Sequence, residues 1–175
     1  MIYLCLLCWL GCSGESGQEA TSSGDGTPQD LGGLSVMVPQ GWVIEKPASQ
    51  MRKAQYRVSG AGGDAELVVT YFGTRGAGPV GANIKRWQGQ FGHVNGLVTE
   101  QTINGLKATI LDVRGTYSNT MPMGGGSESK PNYRMLAAIV QSPSGPFYFK
   151  LTGPQATVGE STQLFDRYLK SLKAN

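Results

Sequence analysis

Alternating apolar and polar positions dominate the chain from residue 34 onward and predict β-strands. Residues 34–38 (LSVMV) and 54–59 (AQYRVS) alternate, and residues 65–72 (AELVVTYF) form a run of β-branched and aromatic residues. Alternation indicates a half-buried strand, and a short apolar run bounded by turns indicates a buried one. The pattern therefore predicts that the folded part of the chain opens with strands.

Two hairpins are predicted in the second half of the chain. Residues 96–105 and 106–117 meet at an Asn-Gly dipeptide, and residues 133–142 and 146–153 flank a Pro-Ser-Gly turn. Asn-Gly between two strand-like runs is a strong signal for a tight hairpin. Hairpin connections imply a mostly antiparallel sheet.

Two segments have the helical spacing of apolar residues. Residues 79–91 place one apolar stripe at every third or fourth position, formed by Val80, Ile84, Trp87 and Phe91. Residues 157–172 open with Thr157 and Glu160, the spacing of a capping box, and continue with an apolar face. Two amphipathic helices must bury their apolar faces against the sheet, so the predicted fold class is an α+β sandwich.

The N-terminal segment has the features of an export signal. Residues 2–10 are apolar, which is too short for a membrane span of about 20 residues but enough for a signal-peptide core of about 7–15. The run ends in Leu10-Gly11-Cys12, which resembles a bacterial lipobox, although Trp9 stands where an aliphatic residue is usual. We expect residues 1–12 to be a lipoprotein signal peptide with lipid on Cys12. Plain secretion, or a buried apolar strand, is the alternative.

Residues 13–32 are rich in Ser, Gly and acidic residues and predict a flexible tether. Residues 33–175 are then one α+β domain of ordinary size. With lipid on Cys12, this domain would lie at the cell envelope. Ser13 favours the outer membrane facing the periplasm, by analogy with other bacterial lipoproteins.

Charge is unevenly distributed between these two segments. The tether holds four of the 12 acidic residues and none of the 15 Lys and Arg, so residues 33–175 carry a net charge of +7. A basic domain favours an anionic envelope component or an envelope protein as partner, or serves solubility alone. We find no nucleic-acid-binding motif and expect no such partner.

A glycine-rich motif at residues 76–81 (GAGPVG) matches G-x-G-x-x-G between a strand and a helix. A dinucleotide site needs a parallel βαβ unit, whereas a hairpin follows here, so we expect no cofactor. Amides at a helix N-terminus do favour anions. The candidate anion or partner site comprises Arg75, Gly76, Gly78, Lys85 and Arg86. The alternative is a loop that only lets the chain turn.

The sequence contains few residues of the types that commonly act in catalysis. His93 is the single histidine, no G-x-S-x-G motif occurs, and the three cysteines all lie within the first 12 residues. Four acidic residues are dispersed along the strands: Asp64, Glu66, Asp112 and Glu128. We predict no catalytic residue and no metal site. An envelope enzyme of unknown class that uses carboxylates and Arg75 is the alternative.

Two further features are expected to serve packing or partner contact. Residues 118–132 predict a long loop, whose Met121 and Met123 would contact a partner or lie in a disordered insertion. Trp42 and Trp87 are predicted to be core residues.

Several segments together resemble a known fold family. VPQGW (38–42), the helix at 79–91 and PFYFKLTGP (146–154) before a last helix ending in YLKSL resemble the PsbP and Mog fold, an α/β/α sandwich. Residues 71–91 and 133–158 also resemble a group of small, uncharacterised secreted or lipid-anchored planctomycete proteins. The fold implies no particular activity, because its members bind unrelated partners. The resemblance is consistent with a non-enzymatic, lipid-anchored binding or assembly module.

Overall fold

A computed structural model describes residues 26–92, 94, 96–119 and 128–175. The described strands are β1 (Thr27–Asp30), β2 (Leu34–Val38), β3 (Trp42–Glu45), β4 (Arg52–Val58), β5 (Ala65–Tyr71), β6 (Leu97–Ile103), β7 (Leu106–Asn119), β8 (Glu128–Ser142), β9 (Gly145–Pro154) and β10 (Lys173–Ala174). The described helices are α1 (Val80–Gly89), α2 (Gln155–Glu160) and α3 (Thr162–Lys170). None of these helices is long and apolar enough to cross a membrane.

The main sheet has seven strands in the order β3-β4-β5-β9-β8-β7-β6. Each described pairing within it is antiparallel. A smaller sheet has the order β1-β2-β10. The prediction of a mostly antiparallel α+β fold is therefore confirmed, and β9 is the central strand of the main sheet.

The main sheet has an apolar layer on each face. One face packs against the small sheet and the two C-terminal helices, through residues such as Tyr56, Phe149 and Tyr168. The other face packs against α1 through β7, β8 and β9. Trp42 and Trp87 are only 8% and 5% exposed, which confirms their prediction as core residues.

Strand β1 lies within the segment that was predicted to be a tether. It pairs antiparallel with β2, from Thr27 opposite Val38 to Asp30 opposite Ser35, and Leu31 behind it is 2% exposed. The tether prediction is therefore wrong for residues 27–32, because β2 offers a free edge and the core offers a place for Leu31. Residues 13–25 of the predicted tether lie outside the described residues, as does the signal segment with Cys12.

The predicted C-terminal helix is two helices that meet at Ser161. The first begins at Gln155, directly after Pro154, and so includes Thr157 instead of being capped by it. The Thr157 hydroxyl donates to the carbonyl of Gly63 at 2.7 Å and accepts from the amide of Gly62 at 3.2 Å. The capping-box prediction is therefore wrong, since this threonine holds the β4–β5 loop against the helix.

The hairpin of β7 and β8 is longer than predicted. Residues 118–119 and 128–132, which were predicted to be loop, belong to its two strands. Residues 120–127, with Met121 and Met123, lie outside the described residues, and so does His93.

Candidate functional site

Helix α1 covers only part of its face of the main sheet. Its buried residues contact β7, β8 and Tyr148 at the start of β9. The remainder of that face, over β3, β4, β5 and the rest of β9, has no helix above it among the described residues. A pocket of about 600 Å³ opens there.

The pairing register of the sheet shows which side chains form the floor of this pocket. Lys150 on β9 lies opposite Val68 on β5 and opposite Ala137 on β8. Thr152, two residues further along β9, lies opposite Glu66. Successive side chains of a strand alternate between faces, so Lys150 and Thr152 point to the side of α1 while Phe149 and Leu151 enter the opposite core.

Helix α1 and the outer part of the long hairpin form two walls of the pocket. Helix α1 contributes Arg86 and Trp87. Strand β9 ends at Pro154, which lies opposite Tyr133 on β8. Strands β7 and β8 continue to pair with each other past this point, and their register shifts just after Gly115. This outer part contributes Tyr117, Lys130 and Tyr133 to the pocket.

Aromatic rings lie at both ends of the pocket. The rings of Tyr117 and Tyr133 stack with centroids 5.9 Å apart and an interplanar angle of 12°. Phe72 meets Tyr148 edge-on at 5.5 Å, and Trp87 meets the same tyrosine edge-on at 6.4 Å. Phe72 is 40% exposed, so an apolar surface faces solvent at this end of the pocket.

Five basic and three acidic side chains line the pocket. All three acids form ion pairs with arginines: Arg52 with Glu66 at 3.1 Å, Arg57 with Glu45 at 3.1 Å, and Arg57 with Asp64 at 3.5 Å. These pairs are partly exposed, so each stabilises the fold by at most about 1 kcal/mol. Their effect on the pocket is to neutralise its acidic side chains.

Lys150 is the lining cation without a protein partner among the described residues, since no hydrogen bond or ion pair of its ammonium group occurs there. Burial lowers the pKa of Lys150, because desolvation disfavours its charged form. The charge of Glu66 acts to raise this pKa, and the charges of Arg86 and Arg52 act to lower it further. The hydroxyl of Thr152 is also buried without a hydrogen-bond partner in the described part of the chain.

The structure brings one of the five sequence-predicted site residues to this pocket. Arg86 lies at its wall, where its guanidinium donates to the side-chain oxygen of Asn83 at 2.7 Å. Lys85 and Arg75 are exposed elsewhere. Gly76 and Gly78 lie in the loop before α1 and have φ angles of 64° and 93°.

Local packing accounts for the glycine loop. A Cβ atom on Gly76 would collide with Pro146 and Tyr148. The amide of Ala77 donates to the Tyr148 hydroxyl at 2.8 Å, and the buried Asn83 side chain donates to the carbonyls of residues 77–79. Anion binding at this loop stays a prediction.

The strands around α1 do not form a dinucleotide-binding unit. Strand β5 pairs with β4 and β9, strand β6 pairs with β7, and all three pairings are antiparallel. The parallel βαβ unit that the glycine fingerprint requires is therefore not present among the described strands.

The four carboxylates noted in the sequence do not form one cluster. Asp64 and Glu66 lie at the pocket, Asp112 binds Arg134, and Glu128 pairs with Lys130 at 3.1 Å. Among the described residues, no group of three or more potential ligands could hold a metal ion.

The sequence analysis missed Lys150, although a signal for it was present. The segment FYFKLT places one charged residue inside an otherwise apolar strand. Lys150 is half-buried, and a lysine drawn partly out of water on a central strand marks a candidate site.

Comparison with known proteins supports the fold alone. No family model and no curated protein matches the sequence. The chain is similar to the solution structure of cyanobacterial PsbP (CyanoP) from Synechocystis sp. PCC 6803, with a TM-score of 0.52 and 12% identity over 85% of this chain and 91% of that one. It is also similar to the Pseudomonas aeruginosa protein of unknown function PA94, at 14% identity over 85% of this chain and 96% of that one, but a TM-score of 0.45 is too low to support an argument. The PsbP-like fold predicted from the sequence is confirmed.

Proposed function

We propose that this chain is a non-enzymatic binding module of a bacterial cell envelope, held at the outer membrane by lipid on Cys12. The anchor rests on the lipobox-like Leu10-Gly11-Cys12. The planctomycete group that the sequence resembles, with its secreted and lipid-anchored members, supports the same location. The partner would be a component of that envelope.

The pocket on the open half of the main sheet is the observation that carries the binding role. Its volume, about 600 Å³, lies within the range of about 300–1,000 Å³ typical of small-molecule sites. Its described lining contains no histidine, cysteine or serine, and its three acids are held by arginines. Aromatic, basic and hydrogen-bonding side chains around such a pocket support recognition of a ligand.

The test uses the tagged full chain extracted from its native membranes with detergent. We expect the N-terminal peptide of the mature protein to begin at a diacylated Cys12, and intact-complex mass spectrometry to find one bound species per chain. Thr152→Phe fills the pocket without changing charge and should abolish this bound species. Thr102→Phe makes the same change on exposed strand β6 and is the matched control.

Separate outcomes contradict the two parts of this proposal. The anchor is contradicted if the chain partitions into the aqueous phase and its N-terminal peptide is unmodified. The Cys12→Ser variant is the control, because it shows how the chain partitions without lipid. A bound species that Thr152→Phe retains contradicts the pocket as the binding site. Turnover of the bound species contradicts the non-enzymatic role.

A further inference from the structure

We propose that the pocket binds a small aromatic acid, with its carboxylate or phosphate group on Lys150 and its ring against the aromatic side chains at one end. This inference rests on the proposed binding function and names the chemical class of the ligand.

The charges of the pocket indicate an anionic group. Glu45, Asp64 and Glu66 are paired with Arg52 or Arg57, and in the described part of the chain none of them forms an ion pair with Lys150. Lys150 is half-buried, so its ammonium group is only partly hydrated, and an anion placed against it offsets the cost of this partial desolvation. The pocket lining as a whole carries five basic side chains against three acidic ones, which also favours an anion.

The position of the anionic group follows from the strand. Lys150 and Thr152 lie on one face of β9, about 7 Å apart along the strand at about 3.4 Å per residue. The ammonium group of Lys150 donates hydrogen bonds and has no acceptor in the described part of the chain, whereas the Thr152 hydroxyl is closed off from solvent. A carboxylate or phosphate above this part of β9 offers acceptor oxygens to the ammonium group of Lys150.

The aromatic side chains indicate the remainder of the ligand. Phe72, Trp87 and Tyr148 lie at one end of the pocket, and Tyr117 and Tyr133 lie at the other. Rings stacked or edge-on at such distances form a favourable surface for another ring. The floor from Tyr148 to Thr152 spans about 14 Å, which suits one or two rings and an acid group better than a polymer.

Isothermal titration of the full chain in detergent with three related probes tests this inference. Naphthoate carries a carboxylate, naphthyl phosphate carries a phosphate, and naphthyl methanol is neutral. We expect saturable binding of one acid molecule per chain, at least about tenfold tighter than the neutral probe, as loss of a charged hydrogen bond would produce. The comparison of the two acids shows which anionic group the pocket prefers.

Substitution of one lysine gives the second arm of the test. Lys150→Met should weaken binding of the preferred acid at least about tenfold and leave the neutral probe unchanged. Lys107→Met is the matched control, because Lys107 is an exposed lysine on strand β7 outside the pocket. Thermal unfolding of each variant shows that the fold is intact.

The inference is overturned if neither acid binds saturably, if the neutral probe binds as tightly as the acids, or if Lys150→Met binds the preferred acid as the wild type does. None of these outcomes affects lipid on Cys12 or the loss of the native bound species in Thr152→Phe. Failure of the ligand class is therefore distinguishable from failure of the proposed function.

Discussion

Arg134 and Asp112 form the most buried of the described ion pairs. The guanidinium donates two hydrogen bonds of 2.8 Å to the two carboxylate oxygens, and it also donates to Thr162 at 3.1 Å. Burial acts to raise the pKa of Asp112, but the hydrogen bonds and charges of Arg134 and Arg114 outweigh it, and the pKa lies below its usual 3.8. The pair therefore joins β7 and β8 to α3, away from the pocket.

We expect Arg134→Met to lower the free energy of unfolding by about 3 kcal/mol at neutral pH, because it leaves a partly buried carboxylate without its main partner. Arg114→Met is the matched control, since Arg114 is exposed and lies 3.4 Å from the same carboxylate. We expect that change to cost less than about 1 kcal/mol. Urea denaturation measures the unfolding free energy of both variants. Equal losses of stability would contradict the prediction that the buried partner matters more than the exposed one.

The same variant has a predicted effect on acid stability. Because the folded-state pKa of Asp112 is depressed, its contribution is fully present above the usual value of 3.8 and is lost as pH falls through the folded-state pKa. The wild type should therefore lose stability more steeply below that pH than Arg134→Met. If the unfolding free energies of the two proteins fall equally steeply below that pH, the pair does not stabilise the fold through the charge of this carboxyl.

At the scale of elements, β1 shows how a strand forms without an apolar pattern of its own. Its sequence, Thr-Pro-Gln-Asp, has no large apolar residue, and its position comes from the free edge of β2. The Tyr56 hydroxyl donates to the Gln29 side chain at 2.8 Å and accepts from the Tyr168 hydroxyl at 3.1 Å. Burial raises the pKa of Tyr56 to about 12, against a smaller lowering by that hydrogen bond, so the phenol stays neutral and able to donate.

Two truncated chains test where the folded domain begins. A chain that starts at residue 26 should keep the unfolding free energy of the full protein. A chain that starts at residue 34 should lose at least about 2 kcal/mol, because it lacks β1 and the buried Leu31. Leu31→Ala in the full chain provides an internal check, and equal stability of both truncated chains would contradict a structural role for β1.

Local patterns predict the elements that carry their own signal. Alternation predicts β2 and β4, a run of β-branched and aromatic residues predicts β5, and the Asn-Gly dipeptide predicts the turn between β6 and β7. The division of the last helix at Ser161 and the role of Thr157 depend on contacts with the distant β4–β5 loop. Such long-range contacts produce no periodic pattern in the sequence. The apolar face of the helix could therefore be predicted from the sequence, whereas the helix boundary could not.

At the scale of the whole molecule, the pocket arises from residues far apart in the chain. Glu45, Arg57, Glu66 and Lys150 come from four different strands, and only the sheet order places them on one face. The sequence predicts a mostly antiparallel sheet and two amphipathic segments packed against it. The strand order, which leaves half of one face uncovered by α1, follows from long-range pairing that local patterns do not encode.

The central claim is that the open half of this face, and not the glycine loop before α1, is the binding site. Amide correlation NMR spectra of the full chain in detergent, recorded during titration with naphthoate, test it most directly. We predict saturable shifts at Val68, Lys150 and Thr152, with Gly78 unchanged. Saturable shifts confined to the glycine loop, or none on β5 and β9, would contradict the claim.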